Sequence, residues 1–231
     1  TLAYAGAVMP GPLLDRVKPG FPNARMTNIY GTTEVMNALY MPDPAGKPLQ
    51  YRPGFYSKVR VSRIDGIADD VCDIDEEGEL LVDASADATF LGYLNRPEAT
   101  AEKLTDGWYR TGDIAKRLAN GDLELCGRVD DMIVSGGENI HPEEVETVLI
   151  QHDAIREVAV IGIPDDQWSE IVVACVVADG VDREDLDFWC RNSPLANYKR
   201  PRDYTFLETL PRNAANKVLR RELKEIVTKS R

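Results

Sequence analysis

Short apolar runs alternate with a helix-like pattern over the first forty residues. The run Leu2–Ala5 predicts a strand, residues 13–17 predict a short helix, and residues 25–29 predict a second strand. The second strand leads directly into the segment Tyr30-Gly31-Thr32-Thr33-Glu34. Functional loops of α/β folds follow the C-terminal ends of strands, so this segment is a candidate site. Residues 41–53 are rich in Pro, Gly and Asp and predict a loop.

Between residues 55 and 127 the apolar positions recur every second residue, which indicates strands. The dipeptide Asn120-Gly121 is typical of a two-residue turn and predicts a hairpin. Several short strands in succession predict a small β-barrel-like subdomain. The predicted elements are strands near residues 59–64 and 80–82, a helix at 97–104, and hairpin strands at 109–118 and 123–126.

After Asp130 helix-like and strand-like patterns alternate, which indicates an α+β domain. Pro142 suits the first turn of a helix, where Glu143 and Glu144 complement the helix dipole. The change of pattern at residues 129–131 divides the chain into two predicted domains, 1–129 and 130–231. The predicted elements are a helix with Val145, Val148 and Leu149 on one face, strands at 158–161 and 171–177, a helix with Leu186, Trp189 and Cys190 on one face, a strand near 204–207, and a last helix carrying Leu219, Leu223 and Ile226.

The composition, with 43% hydrophobic and 29% charged residues, is typical of a soluble globular protein. The net charge of −12 argues against nucleic acid and against an anionic membrane as partners, because phosphate surfaces require a basic face. No apolar run approaches the roughly 20 residues of a membrane span. The four cysteines include no close pair and the two histidines lack zinc-ligand spacing, so we expect no disulfide framework or zinc site and a location in a reducing cytoplasm.

Five motifs follow one another in a fixed order along the chain. They are Tyr30-Gly31-Thr32-Thr33-Glu34, Trp108-Tyr109-Arg110-Thr111-Gly112-Asp113, Gly127-Arg128-Val129-Asp130-Asp131-Met132-Ile133, Ser135-Gly136-Gly137-Glu138-Asn139 and Asn216-Lys217. Together they resemble the later motifs of the adenylate-forming superfamily, which contains acyl- and aryl-CoA ligases, carrier-protein adenylation domains and firefly luciferase. These enzymes activate a carboxylate with ATP. The residues Val35-Met36-Asn37 and those around Gly136 are most similar to a 4-chlorobenzoate- or benzoate-type CoA ligase.

The resemblance implies a mixed α/β and α+β fold. Residues 1–129 would form the end of the large AMP-binding domain, an α/β part with its β-barrel-like subdomain, and residues 130–231 a small, mobile α+β C-terminal domain. The superfamily carries a Ser/Thr/Gly-rich phosphate loop upstream of Tyr30, and the 231 residues contain no such loop. We therefore expect the chain to be the C-terminal portion of a longer enzyme that needs its N-terminal portion.

The segment Thr32-Thr33-Glu34 offers two hydroxyls that can donate to a phosphate and a carboxylate that can hold Mg²⁺ beside it. In the family these positions contact the α-phosphate and Mg²⁺ of ATP, so Thr33 and Glu34 are predicted catalytic residues. A plainer alternative is a turn whose threonines cap the next helix. The flanking residues are candidates for the acyl pocket; they are Ile29, Gly31, Met36 and Asn37.

The resemblance also implies a nucleoside site. Tyr30 would pack near the adenine, and Asp113, in a Thr-Gly-Asp turn, would accept hydrogen bonds from the ribose hydroxyls. Arg128 would add donors to the same nucleotide. The alternatives are an Asp that stabilises its turn and an ordinary surface Arg.

In the family the C-terminal domain rotates between the two half-reactions, and Asp130 matches the hinge position. Gly136 and Gly137 match a loop that lines the pantetheine tunnel, although paired glycines usually just form a turn. For the nucleotide of CoA, a stacking surface and cations are required, and the candidates are Trp168, Tyr198, Arg200 and Arg202. A solvated basic face with a half-buried Trp is the alternative.

Lys217 matches the adenylation lysine of the family, which bridges the substrate carboxylate and the phosphate. Many relatives have Gly before this lysine, whereas this chain has Asn216, a residue type that also tolerates left-handed backbone. A Lys near a helix start is otherwise commonly a solvated residue.

The predicted function is an ATP-dependent aryl- or acyl-CoA ligase that uses a carboxylic acid, ATP, Mg²⁺ and coenzyme A. A homodimer is one assembly compatible with this prediction. One alternative is an adenylation domain that loads a carrier protein. Another is a non-catalytic nucleotide-binding remnant. The absence of the phosphate loop from the 231 residues is the reason for this alternative.

Overall fold

The protein is described from a computed structural model, which covers residues 1–6, 11–42, 50–214 and 216–229. The chain folds as two compact units, Thr1–Val129 and Asp130–Arg231. Each has its own sheet; the first unit has one hydrophobic core cluster and the second has two, within the described residues.

A nine-stranded sheet forms the first unit within the described residues, in the order β1-β2-β3-β4-β9-β8-β6-β5, with β7 paired to β8. Strands β1 and β2 are parallel, and the other pairs are antiparallel. The elements are β1 Leu2–Ala5, α1 Gly11–Val17, β2 Met26–Tyr30, β3 Leu39–Pro42, β4 Gln50–Pro53, β5 Val59–Ser62, β6 Glu77–Asp83, α2 Pro97–Lys103, β7 Leu104–Thr105, β8 Trp108–Arg117 and β9 Leu123–Arg128.

The strands predicted as a barrel-like subdomain continue the same sheet, because β4 pairs with both β3 and β9. The predicted loop at residues 41–53 was wrong at its two ends, which belong to β3 and β4; residues 43–49 lie outside the described part. Tyr51 explains the error. It is almost fully buried and its hydroxyl donates to Asn28 Oδ1 at 2.6 Å, so tertiary packing overrides the local Pro and Gly content.

The hairpin between β8 and β9 is confirmed, but its turn is longer than the predicted two residues. Leu118 N–H donates to the Asp122 carbonyl, and Gly121 N–H donates to the Leu118 carbonyl. The connection therefore spans residues 118–122, with Asn120 bonded to Asp122 inside it.

The second unit is a five-stranded sheet within the described residues, in the order β11-β10-β13-β12 with β14 parallel to β13. The predicted alternation of helices and strands is confirmed. The elements are β10 Ile133–Ser135, β11 Glu138–Ile140, α3 Pro142–Leu149, β12 Ile155–Asp165, β13 Ser169–Ala178, α4 Arg183–Arg191, β14 Asp203–Phe206 and α5 Arg220–Lys229.

Both faces of the second sheet are covered. Val172, Ala174 and Val176 of β13 pack with residues of α3 and α4, whereas Val173 and Cys175 point to the opposite core with α5. A strand covered on both faces reads as a continuous apolar run, which accounts for residues 171–178.

The predicted face of the last helix needs two corrections. Leu223 and Val227 of α5 are buried, whereas Ile226 is 40% exposed and Leu219 precedes the helix. In α4, Trp189 lies at the rim of the buried face rather than in the core, and its indole N–H donates to the Val148 carbonyl at 2.9 Å.

Candidate functional site

Three strands of the first unit bring Tyr30, Asp113 and Arg128 together. Tyr30 is the last residue of β2, and Asp113 of β8 lies opposite Arg128, the last residue of β9. The Tyr30 hydroxyl donates to Asp113 Oδ2, and Arg128 Nη1 donates to Asp113 Oδ1 at 2.9 Å. The Asp113 side chain is 15% exposed. Residues from three of the sequence motifs therefore meet at one carboxylate, that of Asp113.

Burial, followed by the negative charge of Asp113, raises the pKa of Tyr30 well above its usual value. Tyr30 thus remains a neutral hydrogen-bond donor. An ionised carboxylate has about four acceptor sites, and these two donors leave Asp113 able to accept the hydroxyls of a vicinal diol.

The predicted Thr-Gly-Asp turn was wrong, because β8 continues to Arg117. Residues 111–113 instead form an irregularity of the strand, since Arg110 pairs with Leu81 and Ile114 with Glu79. Gly112 has a φ of +74°, and a Cβ there would lie 2.9 Å from Arg128 Nη2. The glycine therefore allows both the bend of the strand and the close approach of the Arg128 guanidinium.

Glu79 supports this bend and was not predicted from the sequence. Its side chain pairs with Arg110 and accepts a hydrogen bond from Gly112 N–H at 3.1 Å. Thr111 is also buried, and its hydroxyl donates to the Leu80 carbonyl. Arg110 lies in the motif of residues 108–113, but its partner Glu79 is 31 residues away. No local spacing in the sequence therefore indicates this ion pair.

Thr32 stabilises its turn through its hydroxyl. Its Oγ1 accepts hydrogen bonds from Val35 N–H and Glu34 N–H, and its own N–H donates to the Val35 carbonyl. The helix-cap alternative was wrong, because the described chain continues through a bridge at Val35 into β3 rather than into a helix. Thr33 is exposed on this turn.

Glu34 accepts a hydrogen bond at 2.7 Å from the hydroxyl of Tyr93, a residue that was not predicted. Burial alone would raise the pKa of Glu34, but hydrogen bonds from Tyr93, Thr32 and its own backbone outweigh this and hold the pKa below its usual value. The carboxylate is therefore ionised near neutral pH and has acceptor capacity left for a cation or a donor.

The candidates for the acyl pocket surround the same turn. Ile29 is half-buried in β2, and Met36 is 66% exposed. Gly31 lies against the backbone of Asn37, whose φ is +52°. Their role in binding an acyl group stays a prediction.

In the second unit, Gly136 and Gly137 form the two-residue turn of the β10–β11 hairpin. Both have positive φ, +62° and +85°, and Ser135 pairs with Glu138 across the turn. Gly136 N–H donates to the Trp168 carbonyl at 2.8 Å, and a Cβ on Gly136 would lie 2.9 Å from the Trp168 ring. The predicted glycine loop and the predicted stacking residue are therefore in direct contact.

Two of the cations proposed to bind the nucleotide of CoA, Arg200 and Arg202, already contact other side chains of the second unit. The Arg202 guanidinium lies over the Trp168 ring, 4.2 Å from its centroid. Arg200 Nη1 pairs with Asp187 at 2.8 Å, and Tyr198 is 45% exposed. A cavity of about 410 Å³ is lined by Arg183, Glu184, Asp187, Asn197, Arg200, Pro201, Arg202 and Tyr204.

Lys217 is exposed on the segment that precedes α5. Its N–H donates to Asn213 Oδ1 at 2.9 Å, and Asn213 N–H donates to the Lys217 carbonyl at 2.9 Å. Asn216 has a φ of +63°, so the residue that departs from the family's glycine adopts the left-handed conformation that glycine favours.

Asp130 lies in the 3-10 turn Val129–Asp131, at the boundary of the two units. Asp131, the next residue, has its Oδ2 3.9 Å from Arg220 Nε. The hinge role of Asp130 stays a prediction.

Within the described ranges, no group of three or more His, Cys, Asp or Glu side chains is arranged to hold a metal ion. The four cysteines are free thiols. In the same part of the chain, no helix is long and apolar enough to cross a membrane.

Comparisons with known proteins show which proteins the chain is similar to. Residues 144–217 match the family model of the AMP-binding enzyme C-terminal domain. The chain is 47% identical to a 4-chlorobenzoate–CoA ligase of Arthrobacter sp. over 97% of its length, which is 43% of that relative. It thus spans less than half the length of the curated relative.

Solved structures of o-succinylbenzoate CoA synthetase (MenE) from Bacillus subtilis share the fold. The structure with the acyl-adenylate intermediate superposes with a TM-score of 0.85 at 33% identity, covering 96% of this chain and 45% of that one. The structure with ATP and a magnesium ion gives a TM-score of 0.83 at the same identity, with 96% and 46% covered. The chain is therefore similar over nearly all of its length to adenylate-forming CoA ligases, and its residues 144–217 match the AMP-binding enzyme C-terminal domain.

Proposed function

We propose that the chain is part of an ATP-dependent aryl-CoA ligase of the benzoate or halobenzoate type. The carboxylate of the acid attacks the α-phosphate of ATP and expels pyrophosphate, which forms an acyl adenylate. The thiol of CoA then attacks the acyl carbon, AMP leaves, and an acyl-CoA thioester forms. The observation that carries the proposal is the convergence of Tyr30 and Arg128 on Asp113, in a chain so similar to a 4-chlorobenzoate–CoA ligase.

In the first half-reaction Asp113 holds the ribose hydroxyls, and Tyr30 and Arg128 keep its carboxylate in place. Thr32 and Thr33 face the α-phosphate, and the flexible ammonium of Lys217 offsets the negative charge that two approaching anions create. Ile29, Gly31, Met36 and Asn37 line the acyl pocket.

Glu34 fits Mg²⁺, because it is ionised and Mg²⁺ is commonly bound by one or two carboxylates together with substrate phosphates. Bound there, Mg²⁺ would neutralise part of the phosphate charge. A dedicated cage of protein ligands is not required for this use of the ion. A relative of known structure was solved with ATP and magnesium, which supports the assignment.

In the second half-reaction residues 130–231 reorient about Asp130, so that the Gly136-Gly137 turn lines the path of the pantetheine arm. Trp168, Tyr198, Arg200 and Arg202 hold the nucleotide of CoA. The contact between Gly136 and Trp168 supports this assignment, because it joins the two predicted parts of the CoA site.

The free thiols of the four cysteines support a cytoplasmic location.

A substrate panel tests the proposal. The native protein that carries this chain is incubated with ATP, Mg²⁺ and CoA and with benzoate, 4-chlorobenzoate or 2-succinylbenzoate, and AMP and CoA thioesters are quantified by mass spectrometry. We expect AMP and an aryl-CoA thioester in equal amounts with at least one benzoate. Thioester on a carrier protein but not on CoA would support the carrier-loading alternative, and the absence of AMP with every acid would support a non-catalytic remnant.

A further inference from the structure

Arg212 links the segment that carries Lys217 to the sheet of the second unit. Its Nη1 donates to the Asn216 carbonyl at 2.9 Å, and its Nη2 pairs with Glu157 of β12. The pairing register of β12 shifts between Ile155 and Glu157, and such irregularities re-aim side chains. One guanidinium thus contacts both a strand and the residue directly before Lys217.

The two ends of this segment are already fixed. Arg212 and Val218 form an antiparallel bridge, and Leu219 N–H donates to the Pro211 carbonyl at 2.9 Å. Leu210 is buried in the core beneath, and Val218 packs against that core. The contacts of Arg212 therefore act on the tip of the segment, where Lys217 lies.

Among the described residues of the tip, Asn216 has left-handed backbone. Its φ of +63° is a conformation that Asn tolerates better than most non-glycine residues, but such backbone still costs free energy that its surroundings offset. Asn213 accepts hydrogen bonds from the N–H groups of Asn216 and Lys217, and the charged hydrogen bond from Arg212 to the Asn216 carbonyl adds a link from this tip to β12. The planar fork of Arg reaches the two acceptors from two different nitrogens, whereas a lysine would have to serve both from a single ammonium nitrogen.

We infer that Arg212, anchored by Glu157, is a positioning residue that sets the direction of Lys217 for adenylate formation. The inference rests on the proposed role of Lys217 in the first half-reaction. Arg212 does not touch the substrate in this assignment, so its removal acts only through the lysine.

The first test does not depend on activity. In the native protein, Arg212→Ala should speed the amide exchange of a peptide covering residues 213–217 by about tenfold or more, because charged hydrogen bonds hold local structure closed. Arg156→Ala is the matched control, since Arg156 is on the same strand as Glu157 and forms an exposed ion pair with Asp179. Equal exchange in all three proteins would overturn the inference, whether or not the protein proves to be a ligase.

The second test separates the half-reactions. Arg212→Ala and Glu157→Gln should slow adenylate formation by about 10- to 100-fold, since small misplacements of a catalytic group have effects of that order. Thioester synthesis from supplied acyl adenylate should not change, and Arg156→Ala should change neither step. In a Lys217→Ala background, Arg212→Ala should cause no further loss. An equal loss in both steps, or an undiminished loss in that background, contradicts a positioning role; an unmodified protein that forms no adenylate contradicts the proposed function instead.

Discussion

Asp113 and Glu34 each accept a hydrogen bond from a tyrosine hydroxyl, Tyr30 and Tyr93 respectively. Burial raises the pKa of both tyrosines, and the neighbouring carboxylates raise it further. The hydroxyls therefore stay protonated near neutral pH. Each carboxylate therefore accepts from a neutral hydroxyl donor, and Asp113 also pairs with the guanidinium of Arg128.

The sequence could indicate Tyr30 but not Tyr93. Tyr30 stands in a motif and directly follows a predicted strand, whereas Tyr93 lies 59 residues from Glu34 and its segment has no catalytic pattern. Asn216 is an intermediate case. Its identity marked a departure from the family, and its tolerance of left-handed backbone correctly allowed the φ of +63°.

Lys217→Ala in the native protein should slow adenylate formation by about 10²–10³, the usual effect of losing one group that stabilises transition-state charge. Thioester synthesis from supplied acyl adenylate should remain nearly intact, because the lysine acts only in the first half-reaction. Single-turnover measurement of each step checks this. Equal loss in both steps would remove Lys217 from its proposed role.

At the scale of elements, local patterns located most helices and strands, and tertiary contacts explain the exceptions. The capping of α4 is local, because Asp182 accepts hydrogen bonds from the N–H groups of Glu184 and Asp185. An acidic residue followed three positions later by another is a sequence pattern typical of a helix start. By contrast β4 depends on its pairing with β9, about 70 residues away in sequence. A strand whose partner is so distant has no local signal strong enough to offset Pro and Gly.

The Gly136-Gly137 turn makes a matched pair of variants available. Both residues have positive φ, so each alanine substitution should cost about 1–2 kcal/mol of stability from backbone strain. Gly136→Ala should cost more, because its Cβ would also meet the Trp168 ring at 2.9 Å, whereas a Cβ on Gly137 meets nothing within 4 Å. Urea unfolding of the two variants measures the difference. Equal stabilities would show that the indole moves away freely.

Arg200→Ala should raise the KM for CoA with little change in kcat, which is the pattern of lost ground-state binding. A charged contact is worth about 1.5–3 kcal/mol, and pantetheine, which lacks the phosphorylated nucleotide, should be used as before. Asp187→Asn is the control, because it removes the ion pair of Arg200 but keeps the cation. If both variants raise the KM equally, Arg200 acts through the fold and not on CoA.

At the scale of the whole molecule, the five motifs are divided between the two units. Asp113, Arg128 and the Thr32–Glu34 turn belong to the first unit, whereas Gly136 and Lys217 belong to the second. Order along the chain was enough to indicate the superfamily. It could not indicate Glu79 or Glu157, because these anchoring residues act through contacts across a sheet or to a distant segment.

Because Asp130 lies at the boundary of the two units, its proposed hinge role can be tested by substitution. Asp130→Pro fixes φ near −65° and removes a backbone donor, which should restrict reorientation of residues 130–231. We expect adenylate formation to continue at a useful rate and transfer of the acyl group to CoA to slow by about tenfold or more, since hinge residues absorb such backbone changes. Asp130→Ala removes the same carboxylate but leaves φ free, so transfer in that variant should be much closer to that of the unmodified protein. Rapid-quench kinetics of both steps decides: if Pro and Ala at this position have the same effect on transfer, the backbone at Asp130 is not the hinge.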